Sequence, residues 1–261
     1  MASPPADEAR PSTDDLVTEA APGGTVPPPP PEPHHRNVQG GAARAAVFGV
    51  SDGLVSNVAL ILGMAGADPA PGVVRLAGLA GLIGGAVSMA AGEYISMKAQ
   101  SELLERELEM ERLELKRRPE SERAELVQIY RSRGIDTDTA EELASELMRD
   151  PEVALQTHAR EELGIDPGEL GSPVAAAVSS FLAFATGALI PLLPWFFGTG
   201  TAAIIASVIL GGVAALTVGS LLARFTGRSV LRSALRQLMW SAVPAAVTYA
   251  IGSAVGVGGV G

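Results

Sequence analysis

The chain has 261 residues, 47% of them apolar, a formal net charge of −10 and no cysteine. The missing cysteine excludes disulfides, thiolate metal sites and thiol nucleophiles, while the acidic balance disfavours nucleic acid and attracts cations. The charge is unevenly placed: twenty of the twenty-nine carboxylates fall between Glu102 and Glu169, against ten Arg and Lys, with strongly apolar stretches on either side.

The first forty residues hold ten of the nineteen prolines, including the run Pro27 to Pro31, and six acidic residues with almost no large apolar side chain. Such a composition cannot bury enough surface to fold, so 1–43 is predicted to be a disordered tail. It lacks the basic and then apolar order of a signal peptide. His34 and His35, adjacent in this Pro-rich stretch, read as solvated rather than as metal ligands.

Beyond the tail, four windows of about 20 residues or more are almost free of charge and a fifth carries one internal Asp, the length needed to cross a hydrocarbon core of about 30 Å. Five transmembrane helices are therefore predicted: Ala45 to Ala67, Val73 to Met97, Pro173 to Phe197, Thr201 to Ala223 and Leu238 to Val260. Arg224, Arg228, Arg232 and Arg236 cluster between the fourth and fifth spans, and the positive-inside rule puts that connection in the cytoplasm. Counting back through the spans, the tail and the acidic insert are cytoplasmic too, and the C-terminus lies outside.

The expected architecture is an all-α membrane protein with spans 1 and 2 in 44–97, a cytoplasmic helical insert in 98–172 and spans 3 to 5 in 173–261. No Gly or Pro follows Gly92 until Pro119, so the second span is predicted to run on as a helix through Glu102 to Leu115. A second insert helix spans about Glu120 to Arg133, and a third starts after Asp136 as N-cap and ends near Arg149. A last short one covers Glu152 to Leu163. At about 100° per residue, Met89, Glu93, Gln100, Glu107, Glu111 and Glu114 share one stripe of the long helix. Ala80, Gly84 and Ala91 lie opposite, where another helix is expected to pack, and Gly78 and Gly85 leave room beside the stripe.

Several side chains carry possible chemistry. Asp52 lies inside the first span beside Ser51, Ser56 and Asn57. A carboxylate in the hydrocarbon costs about 3 kcal/mol and so faces a cavity, a partner or an ion, unless it caps an interfacial helix end. Met89 and Glu93 sit one turn apart, and a thioether with a carboxylate suits a borderline ion such as Fe²⁺ better than Mg²⁺ or Ca²⁺; Met89 alone would be a packing residue. In the insert, Glu111 and Glu114 pair on one helix face and Glu122 and Glu125 on another, on either side of Pro119. Four converging carboxylates need a divalent cation, but a solvated charged helix balanced by Arg112, Lys116, Arg117, Arg118 and Arg123 satisfies the same spacing. Met148 and Glu152 mean little by themselves. His158 reads as a capping or packing residue, with metal ligation the alternative. There is no Walker loop or acid–base constellation, so neither an enzyme nor an ATP-driven pump is expected.

The run Asp52-Gly53-Leu54-Val55-Ser56-Asn57, the run Met89-Ala90-Ala91-Gly92-Glu93-Tyr94-Ile95-Ser96 and the Glu-rich insert together resemble the vacuolar iron transporter family, over roughly Arg44 to Val257. That resemblance implies a five-span homodimer in the bilayer that moves Fe²⁺, and often Mn²⁺, out of the cytosol in exchange for protons, with no permanently bound cofactor. It implies that Asp52 and Met89 line the path, with Glu93 in the same motif. It also implies a cytoplasmic metal-binding set of Glu111, Glu114, Glu122, Glu125, Met148 and Glu152. The Arg, Ala and Gly usage suggests a GC-rich bacterial genome, hence a bacterial plasma membrane. A different class of function, a membrane-anchored metal sensor or buffer, would bind ions without flux, but an anchor has no need of Asp52 and Glu93 within its spans.

Overall fold

A computed structural model describes residues 41–164 and 171–258. The predicted tail therefore lies outside the described residues, as do Asp166 and Glu169 of the acidic segment.

The described residues form helices joined by short turns: α1 Gly41–Gly66, α2 Pro71–Arg117, α3 Pro119–Ser132, α4 Thr137–Leu147, α5 Pro151–Glu161, α6 Pro173–Leu192, α7 Pro194–Phe197, α8 Gly200–Thr226 and α9 Val230–Gly258. Five of them, α1, α2, α6, α8 and α9, are long and apolar enough to cross a membrane. Helix α1 is central, packing on α6, α9, α2 and α8. The neighbours alternate in direction: Gly41 meets Met97 while Gly78 meets Ile61, so α2 runs antiparallel to α1, whereas Gly49 and Gly187 place α6 parallel to it. The start of α1, the distal part of α2, the start of α6 and the Arg-bearing turn between α8 and α9 consequently share one end of the bundle.

Close approach explains why α1 and α6 are rich in small residues. A Cβ on Gly53 would meet the backbone carbonyl of Phe184, and one on Gly187 would meet the carbonyl of Val50, so only hydrogen lets the helices touch. Membrane helices associate by such backbone contact because lipid is as apolar as their side chains. Leu54, Val58 and Leu62 pack with Ala214, Ala215 and Ala245, and Ile61, Val74, Leu192 and Trp195 form a second core toward the opposite end.

Helix α2 runs unbroken for 47 residues, about 70 Å at 1.5 Å per residue. Its apolar part ends near Met97, and the remainder extends about 30 Å beyond the apolar bundle. Pro119 starts α3 at its first turn, where a missing N–H costs nothing. Asp136 caps α4 by accepting from the Thr139 N–H at 3.0 Å, as expected from sequence; the Thr139 hydroxyl first, and then this backbone bond, hold its carboxyl below the ordinary value. Asp150 caps α5 by accepting from Glu152 N–H at 2.8 Å. Leu126, Val127 and Tyr130 of α3 pack on Ala140 and Ala144 of α4, and α5 lies against α2.

Three expectations change. The predicted third span is two helices, because α6 ends at Leu192 and the short α7 begins at Pro194, whose ring cannot donate back into the preceding turn. The last helix begins at Val230, not Leu238, and takes Arg232 and Arg236 into its first turns. The space beside Gly78 and Gly85 is filled, by Leu192 and the ring of Phe184. Ala80, Gly84 and Ala91 are exposed on the bundle's outer surface, and none of the described residues lies within 4 Å of a Cβ at Gly84.

Candidate metal centre

The distal end of α2 turns Glu111 toward α3 and α5. There it meets Glu122 and His158, with exposures of only 4%, 6% and 0%. One ligand atom from each of the three lies within 4.8 Å of the others. Four-residue spacing on α5 explains the histidine: Ala154, buried, sits one turn before His158 and marks the inward face. The ring's Nδ1 is 2.9 Å from the Ala154 carbonyl and its Nε2 3.2 Å from the Glu122 carbonyl.

Electrostatically the cluster is dominated by carboxylates. Glu111 Oε1 is buried without a hydrogen-bond partner, a costly state for a carboxylate oxygen unless a proton or a metal supplies charge. Burial pushes the Glu111 carboxyl up to about 7; His158 opposes this, and Glu162, Glu122 and Glu114 reinforce it. Glu122 is also raised, first by burial and then by Glu125, with His158 and Arg118 acting the other way. Glu162 is raised by desolvation against the cluster, then by Glu125, Glu122 and Glu114, with His158 opposing. Glu114 and Glu125 are exposed at the rim and add their charge without being buried. Hard carboxylates with one imidazole form a donor set suited to a divalent first-row ion.

The two glutamate pairs around Pro119 thus converge. Met148 and Glu152 do not join them: Met148 packs with the α3–α4 core and lines a cleft with Glu120, Arg123 and Arg149, and Glu152 is exposed in the first turn of α5. The cluster instead takes His158, read from sequence as a capping or packing residue, and Glu162, the C-cap residue just beyond α5, adds its charge. The spacing His158-x-x-x-Glu162 behind the buried pair Ala154 and Leu155 was the available signal. In the opposite direction, Glu111 is the one residue of the long stripe that is fully buried.

Within the spans, Asp52 accepts a 2.8 Å hydrogen bond from Ser56 Oγ. Met89 packs beside Ala86, Phe184 and Ala188. Glu93, one turn beyond Met89, pairs with Arg44 of α1 at 3.2 Å, a partner absent from the sequence reading. The α1–α2 register that sets Gly41 against Met97 and Asn57 against Gly81 brings Asp52 level with Ala86, about one turn from Met89. Asn57 donates to the Ala188 carbonyl at 2.6 Å, while its Oδ1 is buried and unpartnered.

Comparison with known sequences decides the family. The profile described as the VIT family matches residues 43–253. The chain belongs to the VIT family. It is 38% identical over 218 residues to a vacuolar iron transporter of Acanthamoeba castellanii, covering 81% of this chain and 78% of that protein. Against vacuolar iron transporter 1 of Oryza sativa subsp. japonica it is 33% identical, covering 83% and 86%. Against vacuolar iron transporter 1 of Arabidopsis thaliana the identity is 31%, covering 83% and 87%. The family and these names indicate a transporter rather than an enzyme, with no permanently bound cofactor. The VIT match includes both the intramembrane carboxylates and the whole of α3 to α5.

Proposed function

We propose that the chain is a proton-coupled transporter that exports Fe²⁺, and Mn²⁺ with it, from the cytosol. The 98–172 insert acts as a cytoplasmic capture domain and 44–97 with 173–261 as the membrane domain. The observation that carries this reading is the unbroken α2, which holds Met89 and Glu93 at one level and Glu111 at another, so one rigid element joins capture site and path. Ions gather at Glu111, Glu122 and His158 within the field of Glu114, Glu125 and Glu162. They then pass to Glu93, Met89 and Asp52, where protons from the far side compete for the same carboxylates and drive release.

Arg224, Arg228, Arg232 and Arg236 share an end of the bundle with the insert, which supports a cytoplasmic insert, and the Arg, Ala and Gly usage supports a bacterial plasma membrane. The exposed small-residue face of α2, with Ala80, Gly84 and Ala91, supports a homodimer in which a second copy packs on this helix.

The test is Fe²⁺ flux into proteoliposomes with the pH gradient varied and Mn²⁺, Zn²⁺ and Ca²⁺ as competitors. Flux should depend on the gradient, and Asp52→Ala should abolish it. Unchanged flux in that variant would rule out the membrane route, and metal binding by the wild type without flux would make the chain an anchored sensor or buffer.

A further inference from the structure

The Arg44–Glu93 pair joins residues of opposite character. The Glu93 side chain is only 12% exposed, whereas the Arg44 side chain is 65% exposed. Neither of the other two basic residues of α1 and the apolar part of α2 with its first turn beyond can replace Arg44: Lys98 is engaged with Glu102 at 3.4 Å, and Arg75 lies at the start of α2, some 27 Å along the helix from Glu93. A carboxylate largely covered by apolar helices, while charged, is stabilised by a cation close by. In the absence of metal that cation is Arg44.

We propose that Arg44 is a tethered competitor for Glu93 that makes the path selective for divalent over monovalent cations. This rests on the reading of Glu93 as part of the ion path. Coulomb attraction scales with the product of charges. A Na⁺ or K⁺ ion arriving at Glu93 brings the same single charge as the guanidinium, lacks its directed N–H donors and is not tethered, so it cannot displace Arg44. A divalent ion brings twice the charge and can. The displaced guanidinium then swings into water at little desolvation cost, since most of its side chain is already exposed. When the metal moves on toward Met89 and Asp52, Arg44 returns to Glu93. Arg44 touches the metal in no step; it is a positioning residue that acts through Glu93.

The experiment compares full-length wild type, Arg44→Gln, Arg44→Lys and Glu93→Gln in proteoliposomes, measuring Fe²⁺ flux with and without added NaCl or KCl at constant ionic strength set by a bulky organic cation. Arg44→Gln is expected to lower the KM for Fe²⁺ about fivefold or more and to make flux sensitive to Na⁺ and K⁺, to which the wild type is indifferent. Arg44→Lys, which keeps the charge but loses the forked donor, should regain that indifference. A structural role alone would not create monovalent competition. An unchanged KM and continued indifference in Arg44→Gln, with flux lost in Glu93→Gln, would overturn the role of Arg44 and leave the path reading intact. Unchanged flux in Glu93→Gln would overturn the path reading itself. Failure of Arg44→Gln to fold would make the pair a structural staple and equally end the proposal.

Discussion

His158 Nε2 lies 3.2 Å from the backbone carbonyl oxygen of Glu122, tying α5 to α3 where the Glu122 side chain meets Glu111. The other ring nitrogen faces the Ala154 carbonyl at 2.9 Å. Carbonyls only accept and a neutral imidazole donates from one nitrogen, so a ring that gives one nitrogen to a metal keeps a hydrogen bond to only one of the two carbonyls. His158→Ala should therefore act twice. It should weaken Mn²⁺ binding by about tenfold or more and destabilise the insert by about 1–3 kcal/mol. Titration calorimetry and thermal melts of the detergent-solubilised chain measure the two effects.

The composition of the cluster separates two sets of carboxylates and thioethers. Glu111→Gln and Glu122→Gln should each reduce Mn²⁺ affinity by at least about tenfold, because each removes a buried charge that faces the other. Glu152→Gln and Met148→Leu should leave affinity within about twofold: the first side chain is exposed, and the second substitution preserves volume in the α3–α4 core. An equal loss in all four would return Met148 and Glu152 to the ligand set.

Acidity gives a signed prediction. Glu111 titrates at about 7 in the fold because burial disfavours its charge, against 4.5 for an ordinary glutamate. The protonated form's contribution to stability is full below about 4.5 and is lost as pH rises through about 7. The metal-free insert should accordingly melt at lower temperature at pH 8 than at pH 5.5, and Glu111→Gln should flatten the difference. Metal affinity should move the opposite way. It should rise by up to about tenfold per pH unit below about 7, as one proton is displaced per ion, and level off above.

Glycines on two faces predict opposite outcomes. Gly53→Ala drives a methyl group into the Phe184 backbone carbonyl, which cannot rotate away, so it should cost about 1–3 kcal/mol or more and shift the α1–α6 contact. A Cβ at Gly84 has no described residue within 4 Å, so Gly84→Phe points its ring away from the bundle. It should leave the monomer folded but, with a second copy packed on that face, convert the dimer to monomer in light scattering. A dimer that survives Gly84→Phe would remove α2 from the interface.

Much of the fold was legible because it is local. The continuous α2 follows from the absence of Gly or Pro between Gly92 and Pro119, and the α4 cap from Asp136 alone. Helix ends near prolines were less legible: Pro191 is accommodated inside α6 and Pro244 inside α9, while Pro194 separates α7 from α6. A proline frees the carbonyl four residues before it, so its effect depends on how the surrounding helices pack on that turn; where α6 ends, Ser207 Oγ donates to the Pro191 carbonyl at 2.7 Å. The site divided similarly. Spacing showed the glutamate pairs around Pro119 but fitted a solvated charged helix equally well, and only the family resemblance singled them out; the role of His158 was not legible, because a histidine on an apolar face reads alike whether it packs or faces two glutamates.

What the sequence determined by itself is therefore the number of membrane helices, the long rigid α2, the acidic character of the insert and the position of carboxylates inside the spans. Each of these depends on hydropathy, periodicity or proline within a few turns of chain. Only the tertiary structure decided which glutamate is buried, which histidine faces it and which arginine neutralises Glu93. Those outcomes depend on contacts between residues 36 and 49 positions apart. Burial and charge pairing are properties of the packed interface, and one helix's pattern cannot say which residues its neighbour will present.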